Sequence, residues 1–144
     1  MTYHVETPWH FWPMALVTTV WQGALAAGHV LSRSGAEAWV TRVPPQLDAY
    51  LASLPLWADL LWALSVWAGL LGALLMIGRV AGAALALAIG FLGALVLFVG
   101  LFWIPPGLLA VARGGHIALI VAAVAISAAI WAYAREQKQA GVLD

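Results

Sequence analysis

Three polar side chains stand inside otherwise apolar stretches, where they could bind a ligand or pair with one another. Gln22 follows Trp21 in the run TTVWQGALAAGHVLSR, near the middle of the first apolar stretch, and His29 comes seven residues later on the same helical face. Asp59 lies near the start of the next apolar run. A polar group taken into hydrocarbon costs free energy unless it has a partner, so each of these side chains needs one.

The composition places these residues in a membrane protein. Of the 144 residues, 65% are hydrophobic and 8% are charged, whereas a soluble domain carries about 25% charged residues. The bilayer is therefore the first partner that the sequence predicts. The net charge is zero and no basic run exists, which excludes nucleic-acid binding. Cysteine is absent, which excludes disulfides, thiolate metal sites and cysteine nucleophiles.

Four apolar stretches are long enough to cross a hydrocarbon core of about 30 Å at about 1.5 Å per residue. They cover residues 10–31, 56–78, 80–103 and 115–134. We therefore predict an all-α fold, an integral membrane four-helix bundle that forms a single transmembrane domain over residues 1–144. An even number of spans places both ends of the chain on one side of the membrane, which we call the terminal side. The opposite side is the loop side.

The first loop carries a further helical signal. Pro44-Pro45 can begin a helix, and the following PQLDAYLASL has apolar residues at helical spacing. We predict a short interfacial helix over residues 44–54, with Leu47, Leu51 and Leu54 toward the apolar side.

Two interpretations of Gln22 are open. Depth along the first two spans brings Gln22 level with Ser65 and Trp67, so the amide could form a structural interhelical hydrogen bond with either. Alternatively, the same depth could hold a ligand site near the midplane, with Trp21 and Trp67 as aromatic walls and Gln22 as the polar contact.

A second group of polar residues gathers near the loop side. His29 and Asp59 lie about one turn inside that surface, and we expect them to approach because each favours the charged form of the other. His116 opens the fourth span on the same side. No HxxxH or ExxH spacing supports a metal ion or a haem, so we predict neither metal nor cofactor. Because GxSxG and HExxH motifs are absent as well, we predict that the protein is not an enzyme.

Several segments stand out together: TPWHFW, VWQ, EAW, PPQLDAYLASLPLWADLLWALSVWAGLLGALLMIGR and AREQKQAGVLD. They resemble a family of small bacterial inner-membrane proteins that is often labelled "sugar transporter". In that family the residue after the first-helix tryptophan is usually Asn, where this chain has Gln22, and an acid stands where this chain has Gly28. The missing acid weighs against proton-coupled transport through the first helix.

The resemblance also implies an orientation. Family members place both termini in the cytoplasm. The positive-inside rule gives no independent answer here, because basic residues balance across the two sides. They are Arg79, Arg135 and Lys138 on the terminal side and Arg33, Arg42 and Arg113 on the loop side.

Three functions fit these observations. The leading interpretation is a non-enzymatic accessory or assembly subunit that associates with other membrane subunits or with itself, because small residues such as Ala86/Gly90 and Ala125/Ala129 allow close helix packing. The alternative is a small-solute, sugar-like carrier acting as an oligomer. Its ligand-binding candidates are Trp21, Gln22, His29, Asp59 and Trp67. A third interpretation is a pigment- or haem-binding subunit that uses His29.

Overall fold

The computed structural model describes residues 6–144, which form helices and connections without a strand. In chain order the helices are α1 (Phe11–Ser34), α2 (Glu37–Val40), α3 (Pro45–Ala52), α4 (Leu56–Ile77), α5 (Gly82–Trp103), α6 (Leu108–Val111) and α7 (Gly114–Gln139). Four of them, α1, α4, α5 and α7, are long and apolar enough to cross a membrane. The predicted all-α four-helix membrane fold is confirmed.

Local chemistry explains where the long helices end. α1 runs past the predicted span to Ser34 and stops at Gly35, whose φ of 63° is left-handed and suits glycine. α5 ends at Trp103 because Pro105 and the proline after it have no backbone N–H to continue the ladder. α7 continues beyond the predicted span, through strong helix formers, to Gln139.

The long helices pack in chain order, with α1 against α4, α4 against α5 and α5 against α7. α4 and α5 approach each other closely, since a Cβ added to Gly90 would lie 2.9 Å from the backbone nitrogen of Gly69. The Ser65 hydroxyl donates to the Gly90 carbonyl at 2.7 Å in the same place. Gly90 therefore allows the close helix approach that its spacing predicted and Ala86 is buried on the same helix, whereas Ala125 and Ala129 lie exposed on the outside of α7.

Two apolar clusters fill the bundle at different heights. The terminal-side core joins the start of α1 to the end of α7 and includes Phe11, Ala15, Met76, Leu87, Ile130, Ala134, Val142 and Leu143. The loop-side core consists of Leu47, Tyr50, Ala58, Leu97, Leu101 and Leu108. The candidate site adjoins the loop-side core and shares Leu47, Leu97 and Leu101 with it.

Residues 142–144 follow α7 and bind the turn between α4 and α5. The Asp144 backbone N–H donates to the Arg79 carbonyl at 2.9 Å, and the Ala81 N–H donates to the Asp144 carbonyl at 3.1 Å. The Arg79 guanidinium donates to the Val142 carbonyl at 3.1 Å. Leu143, 2% exposed, enters the terminal-side core. This segment therefore ties α7 to the α4–α5 hairpin.

Helix α3 lies in the first loop, as predicted, but its apolar face contacts the protein. Leu47 and Tyr50 are only 4% and 3% exposed, because they pack into the loop-side core. Leu51 and Leu54 are partly buried against the same cluster. The expectation that these leucines face the surrounding apolar phase is therefore wrong, since α3 caps the end of the bundle instead.

Tyr50 fixes this cap to the end of α5. Its hydroxyl donates to the Leu101 carbonyl at 2.7 Å and approaches the Ile104 carbonyl at 3.2 Å. Leu101 would ordinarily accept a bond from the residue four positions later, which is Pro105 and has no N–H. The tyrosine supplies the donor that the proline lacks. Burial raises the pKa of Tyr50 above its ordinary value, which keeps the donor protonated.

Candidate functional site

A cavity of about 280 Å³ occupies the loop-side half of the bundle. All four long helices and α3 contribute to its walls, which are almost entirely apolar. They include Leu25, Leu51, Leu54, Trp62, Val66, Leu97, Phe98, Ile120 and Val124. Leu119 of α7, which also lines it, is 69% exposed, so the cavity opens toward the outside of the bundle beside α7.

Three polar side chains lie at the deep end of this cavity, near mid-height of the bundle. They are Gln22 of α1, Ser65 of α4 and Ser127 of α7, which are 4%, 7% and 6% exposed. Ser65 uses its hydroxyl on the Gly90 carbonyl. Gln22 and Ser127 have no hydrogen-bond partner among residues 6–144.

Gln22 points into the bundle toward α4, as its depth predicts. A Cβ added to Gly69 would come within 2.8 Å of the Gln22 Cδ atom, so the amide occupies the space that this glycine leaves. The predicted hydrogen bond to Ser65 or Trp67 is wrong. Ser65 bonds to α5 instead, and Trp67, two residues further, turns to the opposite face and is 48% exposed.

Trp21 also lies away from the cavity. It packs against the terminal-side core, and its indole N–H is buried without a partner in the described part of the chain. The two tryptophans that line the cavity are Trp39 and Trp62, nearer the loop side. The Trp39 indole donates to the Asp48 carboxylate at 2.7 Å, which links α2 to α3.

A charged cluster stands beside Trp62, on the loop side of the cavity. His29 Nε2 lies 3.9 Å from Asp59 Oδ1, so the predicted approach of these two residues is confirmed. The Arg33 guanidinium contacts the same carboxylate oxygen as an ion pair. Trp62 contacts both basic residues, with the His29 ring edge-on at 5.0 Å between centroids and the Arg33 guanidinium 5.3 Å from the Trp62 ring centroid.

His116 contributes to the cavity wall, and its Nδ1 atom is buried without a partner among the described residues. It does not complete a metal site with His29 and Asp59, because no three potential metal-ligating side chains cluster within residues 6–144. His116 and Ser127 are eleven positions apart on one helix, about 16 Å along its axis, which is too far for a nucleophile and its base.

Three residues of the site were not predicted, namely Arg33, Trp62 and Ser127, although the sequence contained a signal for each. Arg33 is four positions after His29 and Trp62 three positions after Asp59, so helical spacing places each beside a residue already selected. Ser127 is the lone hydroxyl in an apolar run, at the same depth as Gln22. The depth argument used for Gln22 would have identified it.

No protein family, curated protein or solved structure matches this chain. The resemblance to the small inner-membrane family therefore stays a prediction. What the site can do follows from its geometry alone: it can enclose an apolar body and offer hydrogen bonds at one end.

Proposed function

We propose that this protein is a non-enzymatic multi-pass membrane protein that binds a small neutral molecule with a largely apolar surface. The observation that carries the proposal is the cavity, with apolar walls and a buried Gln22 amide that has no protein partner among residues 6–144. An apolar pocket with a few convergent polar groups is the usual form of a small-molecule site.

This proposal changes the class of ligand expected under the carrier interpretation, from a sugar-like solute to an apolar molecule. A sugar would bring many hydroxyl groups, and each one left unpaired in an apolar cavity costs about 1–3 kcal/mol. Among residues 6–144, the deep end offers one amide and one hydroxyl that form no hydrogen bond, from Gln22 and Ser127. The cavity therefore suits an apolar molecule better than a sugar-like solute.

The test is a pair of matched substitutions on α7. Ala123→Leu fills the cavity, whereas Ala125→Leu adds the same volume to the exposed face two residues away. Each protein is purified in mild detergent, extracted with organic solvent and compared by mass spectrometry. We expect a small apolar compound in the wild type and in Ala125→Leu that is at least tenfold depleted in Ala123→Leu. Identical extracts from all three proteins would contradict the proposal.

A second observation favours the accessory-subunit function. α7 is the least covered long helix, with 17% of its apolar span buried against 33% for α4 and α5. Its exposed face carries a row of alanines at alternating spacings of four and three residues: Ala118, Ala122, Ala125, Ala129 and Ala132. We call this row the alanine face. Small residues at such spacing let another helix approach closely, so α7 is the side that would meet a partner subunit or a second copy.

The same two variants test this association, with Ala125→Leu now as the test substitution and Ala123→Leu as the control. We expect Ala125→Leu to dissociate complexes seen by native mass spectrometry from lipid nanodiscs, because leucine holds the partner helix away. Ala123→Leu should leave them intact. Complexes that survive Ala125→Leu unchanged would remove the alanine face from consideration.

No observation favours the pigment- or haem-binding alternative. The His29 ring faces Asp59 and Trp62 and does not line the cavity. For location we propose the bacterial inner membrane with both termini in the cytoplasm, on the basis of the family resemblance.

A further inference from the structure

Two mostly buried side chains at the deep end of the cavity have polar atoms that form no hydrogen bond within the described chain and are not enclosed by protein. Gln22 and Ser127 are 4% and 6% exposed, both line the cavity, and neither forms a hydrogen bond within the described chain. Each lies about half-way along its helix, and α1 and α7 run in opposite directions. They therefore sit at similar depth and present polar groups to the same end of one cavity.

The chemistry of these groups specifies their complement. A glutamine amide carries two N–H donors and a serine hydroxyl one O–H donor. The Ser65 hydroxyl donates its proton to the Gly90 carbonyl, and it forms no hydrogen bond with Gln22 or Ser127. Because these N–H and O–H donors face an otherwise apolar cavity, a bound molecule with an acceptor oxygen would complement them.

Size and shape restrict the molecule further. An apolar cavity of about 150 Å³ accommodates one benzene ring. At about 280 Å³ this cavity has room for roughly two fused rings. Trp62 and Phe98 line it and offer flat surfaces against which a ring system can stack.

We infer that the ligand is a neutral ring compound of one or two rings that carries a ketone or quinone carbonyl, with that oxygen accepting hydrogen bonds from Gln22 and Ser127. This inference rests on the proposed function and adds the chemical class of the ligand. A charged ligand is disfavoured because the deep end holds no compensating ion, since the nearest charged residues that we find, Arg33 and Asp59, pair with each other on the loop side.

The experiment compares two probes of the same ring size, 1,4-naphthoquinone and naphthalene. Equilibrium dialysis against the protein in lipid nanodiscs, with empty nanodiscs as the blank, gives the affinity for each. The absence of cysteine removes the thiol addition that quinones undergo. The variants are Gln22→Leu and Ser127→Ala, with Ala129→Ser on the outer face of α7 as the matched control for a changed hydroxyl.

We expect the wild type and Ala129→Ser to bind naphthoquinone about tenfold more tightly than naphthalene, and Gln22→Leu and Ser127→Ala to lose most of that preference while still binding naphthalene. Retained naphthalene binding shows that each variant keeps its cavity. Equal binding of both probes by the wild type would overturn the carbonyl inference and leave the proposed function standing. Binding of neither probe would overturn both.

Discussion

At the scale of single residues, Tyr50 shows how one side chain resolves a problem created elsewhere in the chain. Pro105 ends α5 but leaves the Leu101 carbonyl without its helical donor, and Tyr50 supplies one at 2.7 Å from a different segment. The bond fixes α3 across the loop-side end of the bundle. It also fixes the leucines of α3 that line the cavity.

Removal of this hydroxyl should lower stability by about 1–3 kcal/mol, because a buried carbonyl then loses its only strong donor. The change is Tyr50→Phe, which keeps the ring in the loop-side core. The free energy of unfolding in detergent measures the effect. The comparison variant is Tyr133→Phe on the terminal side, because the Tyr133 hydroxyl contacts the His10 side chain and not a helix-end carbonyl. No loss of stability in Tyr50→Phe would show that the cap is held by apolar contacts alone.

The same bond predicts a dependence on pH. Burial raises the pKa of Tyr50 above its ordinary value of 10.0, so the folded state favours the protonated phenol. The contribution to stability is therefore complete below about pH 10 and is lost as pH rises through the folded pKa. The gap in unfolding free energy between wild type and Tyr50→Phe should stay constant from neutral pH to about pH 9 and shrink above pH 10. A gap unchanged at pH 11 would contradict the assignment.

At the scale of elements, the segment 142–144 acts as a fastening between α7 and the α4–α5 hairpin. Leu143 carries the apolar part of this contact, and we expect Leu143→Ala to cost about 2–4 kcal/mol through lost burial and the void left behind. Leu71→Ala on the exposed face of α4 is the matched control and should change little, since Leu71 is 53% exposed. Thermal unfolding followed by circular dichroism measures both. Equal effects from the two substitutions would argue against the fastening.

The sequence predicted the elements better than it predicted their rotation. Apolar length predicted the four spans, including the end of the third at residue 103, because it depends on local chemistry alone. The sequence did not predict that the Trp67 side chain lies on the outer face of α4. Apart from Asp59 and Ser65, α4 is apolar on every side, so its hydrophobic pattern does not show which face turns inward.

The cavity could not be predicted either. It depends on how far α1 and α7 lie from each other, which follows from contacts that each helix makes with α4 and α5. The inward direction of Gln22 was predictable from its cost in lipid. Its lack of a protein partner was not predictable, because it depends on the Ser65 hydroxyl donating to the Gly90 carbonyl of α5 and not to Gln22.

At the scale of the whole molecule, four spans place both ends of the chain on one face. Cysteine labelling tests this cleanly because the chain has no native thiol. With the proposed orientation, single cysteines at Glu6 and Gln139 should resist a membrane-impermeant maleimide in intact cells, whereas one at Ser53 should react. All three should react after lysis.

Labelling at the two ends of the chain distinguishes an error in the number of spans from an error in the orientation. Opposite labelling of the Glu6 and Gln139 positions would contradict four spans. Labelling of both in intact cells, with Ser53 protected, would keep the four spans and reverse the orientation.

The uneven filling of the bundle has a mechanical consequence. On the terminal side α1 and α7 are held together by fully buried side chains such as Phe11 and Ala134 and by the His10–Tyr133 hydrogen bond of 2.9 Å. On the loop side the two helices border a void. Close-packed interiors are nearly incompressible, whereas voids yield under pressure. We therefore expect the separation of α1 and α7 around the cavity to respond to the lateral pressure of the surrounding lipid more than the terminal-side core does.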